Sequence, residues 1–322
     1  MGEIFTNALW IATVWSATPL VLAALGGMFT QQADVLNIAL EGMMLIGAFA
    51  AISVGAATQS MALALLAAIA AGLIFSLIFG FVSLWLRADF IVVGIGIGIL
   101  ALGLTVLLLS VFYGNQSNFT PTEFPSIWRI PWGPLAHIPV IGPAMDNQTF
   151  LVTVTILLVP FCWWVLYRTP YGVRVRAVGQ QPEAAIAAGL DPRRIKMSTV
   201  LISGVLCGLA GAQFSMANLN AFNNNMTAGA GFIALAAIFV GNVKPLWTAL
   251  ACVLFGFVQA LGGQLQQVAG LPAGLMLALP YAVTVIVLLG RPLYRGAVRR
   301  RRARQIRTER AAQATMPAGS TS

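Results

Sequence analysis

Long apolar runs alternate with short polar breaks along the chain, and most of the runs are long enough to cross a membrane. A helix needs about 20 apolar residues to span the hydrocarbon core of a bilayer. The pattern predicts an all-α polytopic membrane protein whose transmembrane domain covers residues 1–290. The nine predicted spans, of which the seventh is short, are 8–28, 34–56, 60–86, 90–112, 148–167, 197–218, 229–243, 246–266 and 272–290.

The composition agrees with lipid as the main solvent. Hydrophobic residues make up 59% of the chain and charged residues only 8%, whereas a soluble domain is typically about 25% charged. The net charge of +9 does not indicate a nucleic-acid partner, because the cations are clustered. Of the 18 Lys and Arg residues, six lie in Arg168–Lys196 and nine in Arg291–Arg310.

Clusters of cations in short loops and tails are typical of cytoplasmic segments. We therefore expect loop 168–196 and the basic tail 291–322 to be cytoplasmic, with the tail disordered and able to contact anionic lipid. Counting spans outward from that loop predicts an outer N-terminus and an extracytoplasmic loop at 113–147. If the seventh segment crosses, Lys244 and the tail both lie inside, which gives nine spans in an N-out, C-in arrangement.

The two halves of the predicted bundle have opposite orientations. Spans one to four begin outside, spans six to nine begin inside, and span five connects them. Inverted-topology halves recur in transporters, and interrupted helices at matching positions are pointers to the transport pathway. Here the second member of each half is irregular, and the candidate pathway residues are Asn37, Glu41, Gly42, Gly231 and Phe232.

Glu41 is the acidic residue that lies clearly inside a predicted span, and burying a carboxylate in hydrocarbon is costly. One interpretation is that Asn37 and Glu41 hold a broken helix beside the pathway. The other is that Glu41 is a structural group that caps backbone amides near the cytoplasmic interface. The two roles are compatible, and the sequence does not choose between them.

Two pairs of glycines have the spacing of close helix–helix packing. Gly94 and Gly98 form one G-x-x-x-G pair, and Gly204 and Gly208 form the other. Such spacing removes side chains from a helix contact in membranes. We interpret these glycines as packing residues rather than as solute ligands.

The residue inventory contains no recognisable catalytic or metal-binding arrangement. The chain has one His, no cluster of Cys and His with metal-ligand spacing, and no G-x-x-x-x-G-K-[ST] phosphate loop. We therefore predict no catalytic residues, no metal and no cofactor bound by this chain. If transport is driven by ATP, the motor is a separate subunit.

A short polar helix is predicted inside the basic loop 168–196. Pro182 suits the first turn of a helix because it has no amide hydrogen that needs a partner there. Gly189 is placed to end the helix, and Asp191 to cap the next one; the basic stretch before Pro182 is expected to be extended. A helix of about two turns is not stable alone in water, so it must pack on the membrane domain or on a partner.

Four stretches carry a resemblance to a known family: Thr18–Phe49, Arg168–Lys196, Ser203–Ala212 and Met226–Gly241. In this order they resemble the permease subunits of bacterial ABC importers for nucleosides and simple sugars, within the broad ribose-type and branched-chain amino acid permease superfamily. Ribose-type members have ten helices and an inner N-terminus, so this chain is similar to one that lacks the first helix.

The resemblance implies a subunit of the bacterial inner membrane that is not itself an enzyme. Its implied partners are a cytoplasmic ATPase that uses the ATP, a second permease that is identical or homologous, and an extracytoplasmic solute-binding protein. The short helix would then be the coupling helix that docks on the ATPase, formed by Gln181, Pro182, Glu183, Ala184, Ala185, Ala188 and Gly189.

The resemblance also has departures. Family members carry an acidic residue and an Asn before the position of Pro182, where this chain has Gln180 and Gln181. The stretches "LNIALEGMM" and "GFIALAA" favour a nucleoside over a sugar as the solute. The alternative function is a self-sufficient channel or secondary carrier, while an intramembrane enzyme lacks any candidate nucleophile with a base.

Overall fold

The computed structural model describes residues 7–114, 117–125, 128–130, 148–269 and 282–283. Within these residues the chain forms ten α-helices, in the order α1 Asn7–Gln32, α2 Leu40–Thr58, α3 Met61–Gly80, α4 Phe90–Tyr113, α5 Phe150–Arg168, α6 Pro170–Gln180, α7 Pro182–Ala187, α8 Pro192–Ala212, α9 Ala230–Val240 and α10 Pro245–Ala269. Two π-helical segments, Phe81–Trp85 and Gln213–Leu219, extend α3 and α8.

Four two-residue strands form two small antiparallel pairs outside the helices. Strand β1 (Asn118–Phe119) pairs with β4 (Phe222–Asn223), and β2 (Arg129–Ile130) pairs with β3 (Gln148–Thr149). The first pair connects the segment after α4 with the segment between α8 and α9.

Seven of the described helices are long and apolar enough to cross a membrane: α1, α2, α3, α4, α5, α8 and α10, with α3 and α8 continued by their π-helical segments. The predicted all-α, multi-pass architecture is confirmed for this part of the chain. Helix α9 has 11 residues and rises about 16 Å, so it is too short to span a core of about 30 Å. The predicted ninth span, 272–290, and the tail, 291–322, lie outside the described residues apart from 282–283.

The second predicted span begins later than its hydropathy indicates. Helix α1 ends in a turn in which Asp34 has a positive φ of 58°, and α2 starts only at Leu40. In the intervening turn, the side-chain oxygen of Asn37 accepts a hydrogen bond from the backbone N–H of Ala39 at 3.0 Å. The prediction that residues 34–39 belong to the span's helix is therefore wrong: they form a non-helical break, because this local bond competes with the helical ladder.

Helices α1, α2 and α8 form the centre of the bundle, whereas α4 and α5 lie at its periphery. Close approach between α3 and α8 depends on glycine, since a Cβ on Gly204 would lie 2.6 Å from the backbone oxygen of Gly72. Gly208 is equally tight against the backbone oxygen of Ala68. The packing role predicted for this pair is confirmed. Of the other predicted pair, only Gly94 is enclosed; a Cβ on Gly98 would meet nothing within 4 Å.

Several loops and helix ends meet at one end of the bundle, which we call the basic end. The side-chain amide of Gln32, the last residue of α1, donates to the backbone oxygen of Val243 between α9 and α10 at 3.0 Å. The ammonium of Lys196, in the first turns of α8, donates to the backbone oxygen of Asp34 at 3.3 Å. Helix α6 reaches the same place through Gly179.

The opposite end of the bundle is held by different contacts. The indole N–H of Trp15 in α1 donates to the side-chain oxygen of Gln148 at 2.9 Å. The side-chain amide of Gln59, between α2 and α3, donates to the backbone oxygen of Glu123 at 3.1 Å. These contacts place the described parts of segment 113–147 at the end of the bundle away from α6 and α7.

Candidate functional site

The carboxylate of Glu41 lies at the N-terminus of α9. Its Oε1 accepts hydrogen bonds from the hydroxyl of Thr227 at 2.5 Å and from the backbone N–H of Gly229 at 2.8 Å. Its Oε2 accepts from the backbone N–H of Gly231 at 2.6 Å. One side chain from the first turn of α2 therefore binds three donors of the segment that starts α9.

The physical reason is the unsatisfied start of α9. The first N–H groups of a helix have no partner within the helix, and they carry the positive end of its dipole. The residue at the N-cap, Gly229, has no side chain that could accept them. Glu41 supplies the missing acceptors and the compensating negative charge. This geometry matches the structural interpretation of Glu41 and leaves its second, pathway role open.

Two glycines allow α2 and α9 to approach each other and their neighbours. A Cβ on Gly231 would lie 2.5 Å from the backbone nitrogen of Glu41, and a Cβ on Gly42 would lie 2.8 Å from the backbone oxygen of Ile97 in α4. Any larger residue at either position would separate the helices. Phe232, the next residue of α9, is 47% exposed and so is not part of this packed contact.

Asn37 connects the same region to the centre of the bundle. It is buried, and its Nδ2 donates to the hydroxyl of Ser203 in α8 at 3.0 Å while its Oδ1 accepts from Ala39. Four of the five candidate pathway residues are thus brought together. We call this cluster the α2–α9 junction; its members are Asn37, Glu41, Gly42, Thr227, Gly229 and Gly231.

Sequence reasoning missed Thr227, which belongs to this cluster, and Ser203, which binds Asn37 from α8. The sequence gives little indication of either residue, because a single hydroxyl beside a glycine-rich turn is common. The depth of the junction follows from α9, which separates it from Val243 at the basic end by about 16 Å. That is roughly half of a hydrocarbon core of about 30 Å.

Helix α7 starts where the sequence predicts and ends two residues before Gly189, the residue predicted to end it. It starts at Pro182 and ends at Ala187, and Gly189 follows with a φ of 79°. The backbone N–H of Gly189 bonds to the oxygen of Ile186 at 2.9 Å, and that of Leu190 to the oxygen of Ala185 at 3.0 Å. This pair of bonds is the Schellman motif, in which a left-handed residue ends the helix.

The side chains of α7 divide into one anchor and an exposed surface. Ala185 is buried against the rest of the chain, whereas Gln181, Pro182, Glu183, Ala184, Ala188 and Gly189 are exposed. Ile186, which sequence reasoning did not select, is 59% exposed. A cleft of about 520 Å³ beside it is lined by Pro182, Ile186, Asp191, Pro192, Arg193 and Lys196. An exposed apolar side chain therefore lies beside cations on this surface.

The basic stretch before α7 is a helix, so the prediction of an extended entry is wrong. Thr169 caps the start of α6 by accepting from the backbone N–H of Gly172 at 3.3 Å, and Pro170 occupies its first turn. The hydroxyl of Tyr171 bonds to that of Ser198 in α8 at 2.8 Å, and burial raises the pKa of Tyr171. Helix α6 is thereby fixed to the membrane domain.

The start of α8 follows the sequence prediction. The Oδ1 of Asp191 accepts from the backbone N–H groups of Arg193 at 3.0 Å and Arg194 at 3.4 Å. Helix α6 is therefore bonded to α8, while most of α7 between them is exposed.

The sequence matches the family described as "branched-chain amino acid transport system / permease component" over residues 10–288. The chain belongs to this family. It is therefore a multi-pass membrane protein of the permease class, as the bundle of membrane-length helices indicates.

The chain is similar to curated proteins that are named as ABC transporter permeases. A Bacillus subtilis protein named guanosine ABC transporter permease NupQ is 37% identical and covers 87% of this chain and 90% of its own length. A Lactococcus lactis protein named nucleoside ABC transporter permease NupC is 36% identical, covering 84% and 88%. A Haloferax volcanii protein named glucose ABC transporter permease TsgB13 is 27% identical, covering 81% and 70%.

Proposed function

We propose that this chain is the membrane-spanning subunit of an ABC importer that passes a nucleoside into the cytoplasm. The solute would arrive from an extracytoplasmic binding protein, and a separate ATPase subunit would hydrolyse the ATP. Membership of the permease family supports the subunit class, and the two nucleoside-named relatives support the solute. A simple sugar is the second candidate solute, since a glucose-named permease is also similar.

The proposal includes a membrane of the inner, cytoplasmic type and nine passes with the N-terminus outside, in which the non-helical segment before α9 and the short α9 together make the seventh pass. Its support is the distribution of cations: Lys196, Lys244 and the arginines of α6 all belong to the basic end, as cytoplasmic loops require. On this assignment α6 and α7 are cytoplasmic and face the ATPase.

The proposal further includes two inverted halves, which the helix pairing supports. Helix α1 packs along α10 and α9, while α8 packs along α3 and α2. Exchanging α1 with α8, α2 with α9 and α3 with α10 reproduces this pattern. The α2–α9 junction would then lie where the two halves meet, which is the usual position of the pathway in such folds.

The observation that carries the coupling role is the exposed surface of α7. Its tip presents Ile186 and Glu183 away from the bundle while Ala185 holds it in place. We expect it to dock on the ATPase, with a second permease subunit, identical or homologous, contributing the matching helix.

The test is ATP-driven uptake by the assembled complex in proteoliposomes. Glu183→Arg and Ala184→Arg should reduce uptake of guanosine by about 10-fold or more, because they place a cation in the contact. Glu123→Arg makes the same charge change on an exposed side chain at the opposite end and should leave uptake unaltered. Unchanged uptake in both α7 variants would refute the docking role.

A self-sufficient channel or secondary carrier makes a different prediction. Such a protein would move guanosine through liposomes that contain only this chain, without ATPase or ATP. The proposal predicts no flux above that of empty liposomes under those conditions.

A further inference from the structure

Three independent segments contact the last turn of α1 at the basic end. A Cβ on Gly179, near the end of α6, would lie 2.1 Å from the backbone oxygen of Gln32, so α6 rests directly on this turn. Lys196 of α8 donates to the backbone oxygen of Asp34, two residues further along. The side-chain amide of Gln32 donates to the backbone oxygen of Val243.

The contact of Gln32 with Val243 holds a turn whose backbone conformation is unfavourable. Asn242 and Val243 both have positive φ values, 56° and 55°, and a β-branched residue adopts this conformation only when its surroundings impose it. The turn that they form connects α9 to α10. Gln32 is therefore the side chain that holds the end of α9 next to the base of α6.

The N-terminal end of α9 is also bonded to a neighbouring segment. Glu41 binds its first amides, 11 residues away from the turn. Both ends of this short helix are therefore bonded to neighbouring segments, which gives a continuous path of contacts from Val243 to the α2–α9 junction.

We propose that Gln32 is a positioning residue for energy coupling: its amide links α6, and through α6 the docked α7, to α9 and the α2–α9 junction. The proposal rests on the proposed function, because it requires a partner ATPase that displaces α7. The coupling travels through Gly179, the end of α1, Val243 and α9. A chain of contacts shows only that a path exists, and its role must be measured as an energetic coupling.

The experiment compares uptake with ATP hydrolysis in the same preparation. Complexes reconstituted with the partner ATPase and binding protein are assayed for guanosine uptake and for phosphate release, and the ratio of the two is the readout. Gln32→Glu keeps the shape of the side chain and removes the donor, whereas Gln32→Lys keeps a donor that can reach the Val243 oxygen. Gln59 offers a matched control, since it is exposed and its side-chain amide likewise donates to a backbone oxygen, that of Glu123, at the opposite end of the bundle.

Because Gln32→Glu loses one hydrogen bond, we expect it to lower the ratio of guanosine uptake to ATP hydrolysis roughly three- to tenfold. Hydrolysis by the assembled complex is retained, and Gln32→Lys and Gln59→Glu stay within twofold of the unaltered chain. An unchanged ratio in Gln32→Glu overturns the proposal. So does a proportional loss of uptake and hydrolysis, which is the result of a purely structural role. The proposed function fails separately, if the unaltered complex shows no ATP-driven uptake at all.

Discussion

The three hydrogen bonds of Glu41 make a sharp prediction for the variant Glu41→Gln. The substitution preserves size and shape but removes the charge and replaces one acceptor oxygen with an NH₂ group. At least one of the donors from Thr227, Gly229 and Gly231, now bonded at 2.5–2.8 Å, must then face another donor. We therefore expect the N-terminus of α9 to lose its connection to α2.

The magnitude follows from the number and type of bonds. A hydrogen bond to a charged group contributes about 1.5–3 kcal/mol, and a buried donor left without an acceptor costs about 1–3 kcal/mol. The carboxylate also stabilises the helix dipole by about 0.3–1 kcal/mol. Because Glu41 is only partly buried, the lower parts of these ranges apply. The expected loss is about 2–4 kcal/mol in the free energy of unfolding.

The assay is unfolding of the purified chain in detergent micelles, followed by circular dichroism against denaturant. Asp34→Asn provides the control, since it makes the same chemical change at an exposed side chain whose carboxylate lies 4.0 Å from the Lys196 ammonium. Exposed ion pairs contribute about 0–1 kcal/mol, so this variant should differ little from the unaltered chain. Equal stability of Glu41→Gln and Asp34→Asn would refute the assignment of Glu41 as the cap of α9.

Three further changes test the packing around this site, each by the same unfolding assay. Thr227→Val removes one donor to Glu41 and should cost about 1 kcal/mol alone but almost nothing in a Glu41→Ala background; additive losses would contradict the shared bond. Gly231→Ala should destabilise by about 1–3 kcal/mol through overpacking, whereas Gly98→Ala, with open space around it, should not; equal effects would contradict the tight α2–α9 approach. Gly204→Ala should cost a similar amount because of its contact with α3, while Gly103→Ala, also in open space, serves as its control and should be neutral.

The sequence was sufficient to locate the long helices and to indicate that the second span is interrupted, but the hydropathy pattern did not give the extent of the interruption. Residues 34–39 are apolar enough to extend the second span, yet they form a turn because Asn37 bonds to Ala39 and Ser203. The second of these bonds joins residues 166 positions apart, so no local pattern could reveal it. The helical form of α6 was missed for a related reason, since its stability comes from contacts with α8 such as that of Tyr171.

Local chemistry predicted the short helix α7 well. Pro182 at its start, Gly189 after its end and Asp191 before α8 each act through their own backbone or that of near neighbours. For Glu41 the sequence indicated an unusual acid within a span and grouped it with Gly231, but it did not indicate the hydrogen bonds, because Thr227, Gly229 and Gly231 come from the other half of the chain. Gln32 gave no signal at all, since a glutamine at a helix end is ordinary until Val243 is found beside it.

The central claim is that this chain moves a nucleoside only when a partner ATPase acts on α7. The most direct measurement is uptake of radiolabelled guanosine into proteoliposomes that contain the chain with its ATPase and binding protein, with and without ATP. The account predicts uptake that requires ATP and that Glu183→Arg reduces by about 10-fold or more. Equal uptake without ATP, or from liposomes that contain the chain alone, would contradict it.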